Sequence, residues 1–272
     1  MIAITVGLPL FRAKLIGWLA LESLCRQVNA PEWELLICEE TKSEFQPMEW
    51  LAIDQYRDRL NQANCQRIRY IPLDNWIPLF QKWQQMLLMA NGKIFMLQAA
   101  DCFSQPYRLS ETWELMQGGQ FDWCQSNNGY FYSIARDLVY HYHKDPANNN
   151  HPCALNMAIR TRLGKKLPAG IDIAKSVDSA LFWKLELIKK SKLKVIINES
   201  KNWKLGVDTH GLANISVGRE QGFDELKHIF SISNIKIEQI VANEIAYQLK
   251  GLRNQVREKD SYLIWEKWII KE

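Results

Sequence analysis

Two groups of acids in this sequence could carry chemistry, and each follows an apolar run. Asp101 comes just after the strand-like stretch at residues 93–99, and the pair Glu39 and Glu40 closes the apolar run that starts at residue 33. A buried carboxylate without a partner is costly, so an acid at a strand end is expected to be hydrated or to hold a cation. Carboxylate oxygens are ligands for Mg²⁺ and Mn²⁺, which makes Asp101 a candidate metal ligand.

The elements that must position these acids alternate between strand and helix. Apolar runs that predict four strands occur at residues 2–8, 33–38, 67–71 and 93–99. Apolar residues at helical spacing follow the first run, and Pro78 lies in the first turn of a helix before the last run. The alternation predicts an α/β fold with a parallel sheet and a ligand crevice at the carboxyl ends of its strands. Pro9, the two glutamates and Asp101 would converge there.

The order of these residues resembles the family 2 glycosyltransferases of the GT-A type. A strand ends in proline at Pro9, a helix ends in Ser-Leu-x-x-Gln at Gln27, and Trp-Glu-Leu leads into the paired acids. Gly92, Asp101 and Pro106 match the spacing of a glycine, an acid and a proline that close the nucleotide half of that family. Later stretches similar to the acceptor-side strand, the helix with the catalytic base and a late histidine segment are residues 152–161, 175–185 and 203–216.

The resemblance implies a GT-A nucleotide-diphospho-sugar transferase fold, with a mainly parallel central sheet flanked by helices. It implies a glycosyltransferase domain at 1–218, divided into a nucleotide-binding half at 1–106 and an acceptor half at 107–218, before a C-terminal helical appendage at 219–272. The implied activity is metal-dependent, inverting transfer of a hexose from a nucleotide-sugar, a UDP-sugar, to a glycan or lipid-linked hydroxyl acceptor in surface polysaccharide synthesis. The implied cofactor is Mn²⁺ or Mg²⁺.

The sequence also departs from the family pattern. The family has Asp-x-Asp, or two adjacent acids, where this chain has Ala99, Ala100 and a single carboxylate at Asp101. A non-catalytic relative that binds a nucleotide or a glycan is therefore a second interpretation. A sugar-1-phosphate nucleotidylyltransferase is disfavoured, because the residues after the first strand lack a glycine-rich phosphate loop.

The resemblance assigns roles at the donor site. Asp101 would hold the metal beneath the diphosphate, and His210 would add a nitrogen ligand better suited to Mn²⁺. For a lone histidine, a hydrogen-bonded loop residue is the competing interpretation. Glu40, beside Glu39, would accept from the N–H of a uracil-type base. Without the resemblance, both glutamates would be interpreted as hydrated turn residues.

Leu8 and Pro9 are predicted to form the wall of the base pocket. On the acceptor side an inverting transfer needs a general base, and Asp178 fits the position. Asp178 also precedes an apolar helical face, as a helix N-cap would, and Asp172 is the alternative base.

The segment from residue 121 to 151 contains His141, His143 and His151. They could be interpreted as a zinc site, but no cysteine pair or fourth ligand lies at a familiar spacing. The Asn-rich stretch around them favours a loop that could close over a sugar nucleotide.

Composition and the C-terminal pattern complete the sequence analysis. A net charge of +4 argues against a nucleic-acid partner, and scattered cysteines without a leader or a membrane span favour a reduced, cytoplasmic location. From residue 234 onward apolar residues recur at helical spacing. This helical face could pack on its own domain, pair with a second copy as a homodimer, or lie on the inner face of the membrane through Trp265 and Trp268.

Overall fold

The computed structural model describes residues 1–126, 129–134, 136–142, 157–166, 195–198, 204–208 and 230–253. Its strands are β1 (Ile4–Leu10), β2 (Trp33–Glu40), β3 (Cys65–Leu73), β4 (Ile94–Leu97), β5 (Cys102–Ser104), β6 (Trp123–Ser126), β7 (Gly129–Ser133), β8 (Leu138–Tyr142), β9 (Ala158–Arg160), β10 (Val195–Asn198), β11 (Lys204–Asp208) and β12 (Phe230–Ile232). Its α-helices are α1 (Gly17–Cys25), α2 (Trp50–Asp54), α3 (Arg57–Gln62), α4 (Leu79–Met89), α5 (Arg108–Met116), α6 (Thr161–Gly164) and α7 (Asn243–Gly251). Short 3₁₀ helices span Ala13–Leu15, Ser43–Phe45 and Ile237–Gln239.

Within these residues, seven strands form a mixed sheet in the order β10-β6-β9-β4-β1-β2-β3. The predicted parallel sheet is confirmed, because β1 pairs in parallel with both β2 and β4, and β2 pairs in parallel with β3. The chain runs outward from β1 to β3 and then returns to the other side of β1 to form β4. The position between β1 and β4 is therefore a topological switch point.

The apolar runs become strands because helices cover both faces of this sheet. Every residue of β2 is buried, as is typical of a strand in a parallel sheet. Alternate β2 side chains face two separate clusters: Leu35 and Ile37 pack with helix α1, and Leu36 and Cys38 pack with helix α4. The two glutamates at the end of β2 are thus carried toward opposite faces of the sheet.

Five of the described strands form a second sheet in the order β12-β8-β7-β11-β5. Part of the predicted loop at residues 141–151 is in fact strand, because His141 and Tyr142 belong to β8 and pair with Ser231 and Phe230 of β12. The His141 ring also lies 5.2 Å from the ring of Tyr130. His143, His151 and the Asn-rich stretch lie outside the described residues.

The helical pattern predicted after residue 234 packs on its own chain. It forms a 3₁₀ turn followed by α7, and its apolar side is buried against α1, β5 and the β7–β8 hairpin; the residues buried together include Ile16, Leu19, Phe103, Tyr132, Ile237, Val241, Ile245 and Leu249. The predicted boundary at residue 218 and the residues after 253 lie outside the described part. Among the helices that the structure describes, none combines the length and apolar character needed to cross a membrane.

Candidate functional site

The candidate site is a gap between β1 and β4 at the switch point. The ladder between these strands ends at the pair Gly7 and Leu97, after which the N–H of Gln98 donates to the Gly7 carbonyl at 2.9 Å. β1 continues beside β2 as far as Leu10. The two strands therefore separate at their carboxyl ends, where open α/β sheets bind their ligands.

The sequence pattern indicated that the first strand ends at Pro9. In the structure Pro9 lies inside β1, which continues to Leu10. Backbone groups of a strand alternate between its two neighbours, and the Gly7 carbonyl faces β4, so the missing N–H of Pro9 also faces the β4 side. The ladder with β4 has already ended there, and proline costs no hydrogen bond. Pro9 keeps partial exposure at the predicted pocket wall, whereas the Leu8 side chain is fully buried in the core.

Asp101 lies across the gap, in a turn rather than at a strand end. β4 ends at Leu97, and the Cys102 N–H closes a turn on the Ala99 carbonyl at 3.2 Å. The Asp101 side chain is buried, and the Cys102 Sγ lies 3.6 Å from its Oδ1. A thiol is a weak donor, so this contact binds the carboxylate only weakly.

A buried polar network holds this turn in place. The Gln98 Nε2 donates to the Cys102 carbonyl at 2.6 Å, and the Gln98 Oε1 accepts from the Ser104 hydroxyl at 2.5 Å and from Arg108 at 3.0 Å. Arg108 also donates to the Leu97 carbonyl at 2.7 Å. Sequence analysis missed Gln98 and Arg108; the available signal was a glutamine inside an apolar run.

Glu40 forms a buried ion pair with Lys82 of α4. The Lys82 ammonium also donates to the Leu10 carbonyl at 2.9 Å and lies 5.3 Å from the centre of the Phe11 ring. Burial lowers the pKa of Lys82, although Glu40 opposes the shift. The other Glu40 oxygen accepts from the Ile77 N–H at 3.4 Å. Lys82 was missed because it occupies a core-facing helical position that the pattern assigned to apolar packing.

Glu39 points to the opposite face and holds the loop that follows β2. Its carboxylate accepts from the N–H groups of Met48 and Glu49, at 2.7 and 3.3 Å, and from the Tyr70 hydroxyl at 2.7 Å. Burial raises the pKa of Glu39, and these hydrogen bonds offset only part of the increase. Neither glutamate is a hydrated turn residue.

The segment after β1 forms the near side of the gap. Phe11 packs on Phe45 with ring centres 5.9 Å apart, and the Lys14 N–H donates to the Gln46 carbonyl at 3.1 Å. Between them Arg12 has a φ of 50°, in the left-handed region that non-glycine residues rarely adopt. The segment is therefore tied to the loop that Glu39 holds.

Three other residues of the family-like pattern have structural roles. A Cβ on Gly92 would lie 2.4 Å from the backbone nitrogen of Thr5, so only glycine fits there. Glu34 accepts from Thr5 at 2.7 Å and from the Asn91 N–H at 2.7 Å. Gln27 joins the end of α1 to the chain after β5 by donating to the Gln105 carbonyl at 3.0 Å.

The structure thus brings Pro9, Glu39, Glu40 and Asp101 to one edge of the sheet. Asp178, Asp172 and His210 lie outside the described residues. Among the residues that the structure describes, no three histidine, cysteine or acidic side chains form a metal cluster. Asp101 offers one carboxylate, which suits a Mg²⁺ or Mn²⁺ ion that completes its shell with ligand oxygens and water.

No family model and no curated protein matches the sequence. Solved structures do match: S. aureus TarS 1–349 in complex with UDP-GlcNAc superposes with a TM-score of 0.59 at 14% identity, over 76% of this chain and 59% of that one. TarS 1–349 in complex with UDP gives 0.58 at 14% identity, over 98% and 91%. The mannosyltransferase PcManGT from Pyrobaculum calidifontis, in complex with GDP-Man and Mn²⁺, gives 0.54 at 12% identity, over 98% and 79%.

This chain spans 59%, 62% and 55% of three of the TarS chains that it matches. At these identities the likeness defines the fold. The protein has the fold of the GT-A type glycosyltransferases, with a mostly parallel central sheet flanked by helices.

Proposed function

We propose that the protein is a metal-dependent, inverting glycosyltransferase of the hexosyltransferase type that uses a nucleotide-sugar, a UDP-sugar, as donor. The supporting observation is the gap between β1 and β4, which has Asp101 on one side and the exit of β1 on the other. Solved structures with this fold are described as complexes with UDP-GlcNAc, UDP and GDP-Man. A diphosphate bound in the gap would lie next to the one described acid of the Asp101 turn.

We assign the metal to Asp101 and His210. β11 runs antiparallel to β5 with Gly206 opposite Cys102, so the strand that ends two residues before His210 lies beside the Asp101 turn. A divalent ion held there would act as a Lewis acid that stabilises the charge on the departing diphosphate. An imidazole ligand favours Mn²⁺ over Mg²⁺.

We assign base recognition to Glu40 and Lys82 acting together, with Glu39 and Pro9 shaping the pocket and Leu8 behind it. A carboxylate has about four lone-pair positions. Among the residues that the structure describes, Lys82 and the Ile77 N–H use two of those on Glu40. Lys82 would hold the Glu40 carboxylate in position while it accepts from a base N–H. Glu39 would act indirectly, through the loop that it holds at Met48 and Glu49.

We assign the general base to Asp178, with Asp172 as the alternative. Asp178→Asn should leave donor binding intact and lower turnover by roughly 10² to 10⁴ fold, the usual contribution of a positioned base. Near-normal turnover in this variant would contradict the assignment and leave Asp172 to be tested. Turnover is measured as release of UDP from the donor in the presence of a hydroxyl acceptor.

The direct test of the proposed function is donor binding. Isothermal titration with UDP, GDP, UDP-GlcNAc and GDP-Man, each with Mn²⁺, with Mg²⁺ and with EDTA, should show metal-dependent binding, strongest for a uridine nucleotide. A guanosine preference would replace the UDP assignment and keep the enzyme class. The absence of any nucleotide binding at millimolar concentration would refute the proposed function.

A second candidate is a non-catalytic relative that binds a nucleotide or glycan, favoured by the alanine at position 99. Binding of the donor without transfer or hydrolysis, in the presence of Mn²⁺ and a panel of glycan acceptors, would select it.

As an enzyme, the protein would act on the cytoplasmic side in surface polysaccharide synthesis, on a glycan or lipid-linked acceptor and without a nucleic-acid partner. The C-terminal appendage predicted at 219–272 would contact a second copy or the membrane surface.

A further inference from the structure

We propose that Arg12 binds the donor diphosphate from the β1 side of the gap, across from Asp101. This inference rests on the proposed function, because it names the charged contact that the same site makes to its donor. The Arg12 guanidinium would supply positive charge from the chain itself, in addition to the metal ion expected at Asp101.

The position of Arg12 follows from the topology. β1 ends at Leu10, so Arg12 is the second residue beyond the strand at the switch point. On the other side of the gap the chain leaves β4 at Leu97 and turns through Asp101. A ligand that enters between the two strands passes between these two segments.

The backbone of Arg12 indicates a constraint beyond folding. Its φ of 50° and ψ of 37° place a long side chain in the left-handed region, where glycine or asparagine would be less strained. Such strain is unfavourable, and strained residues cluster at ligand sites. Folding alone favours another residue at this position, whereas an anionic ligand favours arginine.

The charges around the gap also favour an anion at Arg12. The acids at the end of β2 are engaged internally, Glu40 by Lys82 and Glu39 by backbone N–H groups and Tyr70. The Arg12 side chain is half-buried, and this burial lowers the pKa of its guanidinium. A partly desolvated guanidinium attracts a phosphate more strongly than an exposed one and can bind two of its oxygens at once.

The proposed reaction requires positive charge beside the departing diphosphate, and Arg12 would supply it. Departure of a nucleoside diphosphate requires neutralisation of its oxygens, and the turn after β4 supplies one carboxylate where the resembled family has two. A metal ion held by fewer protein ligands binds more weakly. At equal metal concentration it therefore neutralises less of the diphosphate charge. A guanidinium on the facing segment supplies positive charge that does not depend on metal occupancy.

The test separates the diphosphate from the nucleoside and the metal from the arginine. UDP and uridine are titrated into wild type, Arg12→Asn and the control Arg67→Asn, with Mn²⁺ and again with EDTA. Asparagine tolerates the left-handed backbone and removes the charge. Arg67 is exposed on β3 opposite Glu34, at the other end of the sheet, so its variant makes the same charge change away from the gap.

Arg12→Asn should bind UDP roughly ten to a hundred times more weakly than wild type, the usual effect of losing a charged hydrogen bond, and should bind uridine equally well. In EDTA, wild type should still bind UDP more tightly than uridine. Arg12→Asn should lose this preference, and Arg67→Asn should keep it. Asparagine should relieve the backbone strain at this position, and the melting temperature of each variant checks that it folds.

The outcomes distinguish this inference from the proposed function. Unchanged UDP binding in Arg12→Asn, with wild type binding UDP, would overturn the role of Arg12 and leave the proposed function intact. Equal loss of UDP and uridine binding would also overturn it, because it would show a structural effect on the whole pocket. Failure of wild type to bind UDP, GDP or their sugars would overturn both.

Discussion

The two ends of β2 both carry buried carboxylates, and they use them differently. At the amino end, Glu34 is satisfied by the Thr5 hydroxyl, by Arg69 and by Asn91. At the carboxyl end, Glu39 and Glu40 hold a loop and a lysine beside the gap. The first arrangement joins neighbouring strands to each other, whereas the second holds a loop and a helix beside the proposed donor site.

The pKa directions follow this difference. Burial alone would raise the pKa of Glu34, but the hydrogen bonds from Asn91 and Thr5 and the charge of Arg69 outweigh it, and the pKa is lowered. For Glu39 burial outweighs the donors, and the pKa is raised. The amino end therefore stabilises its charge fully, and the carboxyl end retains a carboxylate that burial disfavours.

Long side chains with positive φ lie near the carboxyl end, whereas the positive-φ residues near the amino end are Asn29 and Asn64, a residue type that tolerates this conformation. Arg12, Gln46 and Glu49 all have positive φ values and lie in the two segments that Phe11, Phe45 and Glu39 hold together. Residues held in such conformations are typical of binding sites. Similar acids on one strand thus join strands at one end, and at the other end they hold a loop and a lysine beside the proposed site.

The largest expected effect on stability is at Lys82. Lys82→Met should lower the free energy of unfolding by about 3 to 5 kcal/mol, because it leaves Glu40 buried without its ion-pair partner. Urea denaturation at pH 7 measures this. The double variant Glu40→Leu with Lys82→Met should recover most of the loss, since it removes both charges. A single variant as stable as wild type would mean that water or another donor reaches Glu40.

The next effect is at the amino end, at Gly92. A Cβ there would lie 2.4 Å from the Thr5 nitrogen and 2.5 Å from the Ile4 carbonyl carbon, both backbone atoms that cannot rotate away. Gly92→Ala should therefore destabilise by about 1 to 3 kcal/mol or more. Gly118→Ala is the matched control, because a Cβ at that position would meet nothing within 4 Å. Equal stability of the two variants would contradict the close approach.

The sequence was sufficient for the four parallel strands β1 to β4, because their apolar runs are continuous and separated by helical spacing. It placed strand ends less well: Pro9 reads as a terminator, yet it lies inside β1 because its missing N–H faces a side where pairing has ended. Asp101 reads as a strand end, yet β4 stops at Leu97. Both errors come from the separation of β1 and β4, which depends on tertiary pairing.

The partners of the acids could not be predicted for the same reason. Lys82 is 42 residues from Glu40, and its helical position matches the core face. Arg12 carries no sequence signal, because its left-handed backbone is imposed by contacts between the loops after β1 and β2. The residue types thus predicted which edge of the sheet carries the charged side chains. Long-range contacts, which the sequence does not show, decided which of these side chains pair with one another.

A third prediction uses pH to separate the two ends of β2. Glu39 has a raised folded-state pKa, so its contribution is present below the unfolded value of about 4.3 and is lost as pH rises through the folded value. Glu34 has a lowered pKa, so its contribution is present above about 4.3 and is lost as pH falls through the folded value.

The measurement is urea denaturation at a series of pH values for wild type, Glu39→Gln and Glu34→Gln. Relative to Glu39→Gln, wild type should lose stability as pH rises above about 4. Relative to Glu34→Gln, wild type should lose stability as pH falls below about 4. The same sign for both differences would remove the electrostatic contrast between the two ends.

The smallest expected effect on stability, with the largest effect on ligand binding, is at Asp101. Its carboxylate lies in a turn that Gln98 and Arg108 also hold through backbone carbonyls and Ser104, and these hydrogen bonds remain when the acid is removed. Asp101→Ala should therefore change the free energy of unfolding by less than about 1 kcal/mol in either direction.

Because the acid is the proposed ligand beneath the diphosphate, Mn²⁺-dependent UDP binding should disappear, while the metal-independent binding that depends on Arg12 should remain. Titration of Mn²⁺ in the presence of UDP, followed by the broadening of the nucleotide NMR lines, measures the first, and calorimetry in EDTA measures the second. Unchanged Mn²⁺ affinity would place Asp101 with Glu34 among the architectural acids, and the carboxyl end would then differ from the amino end in strain and charge without a metal site at this turn.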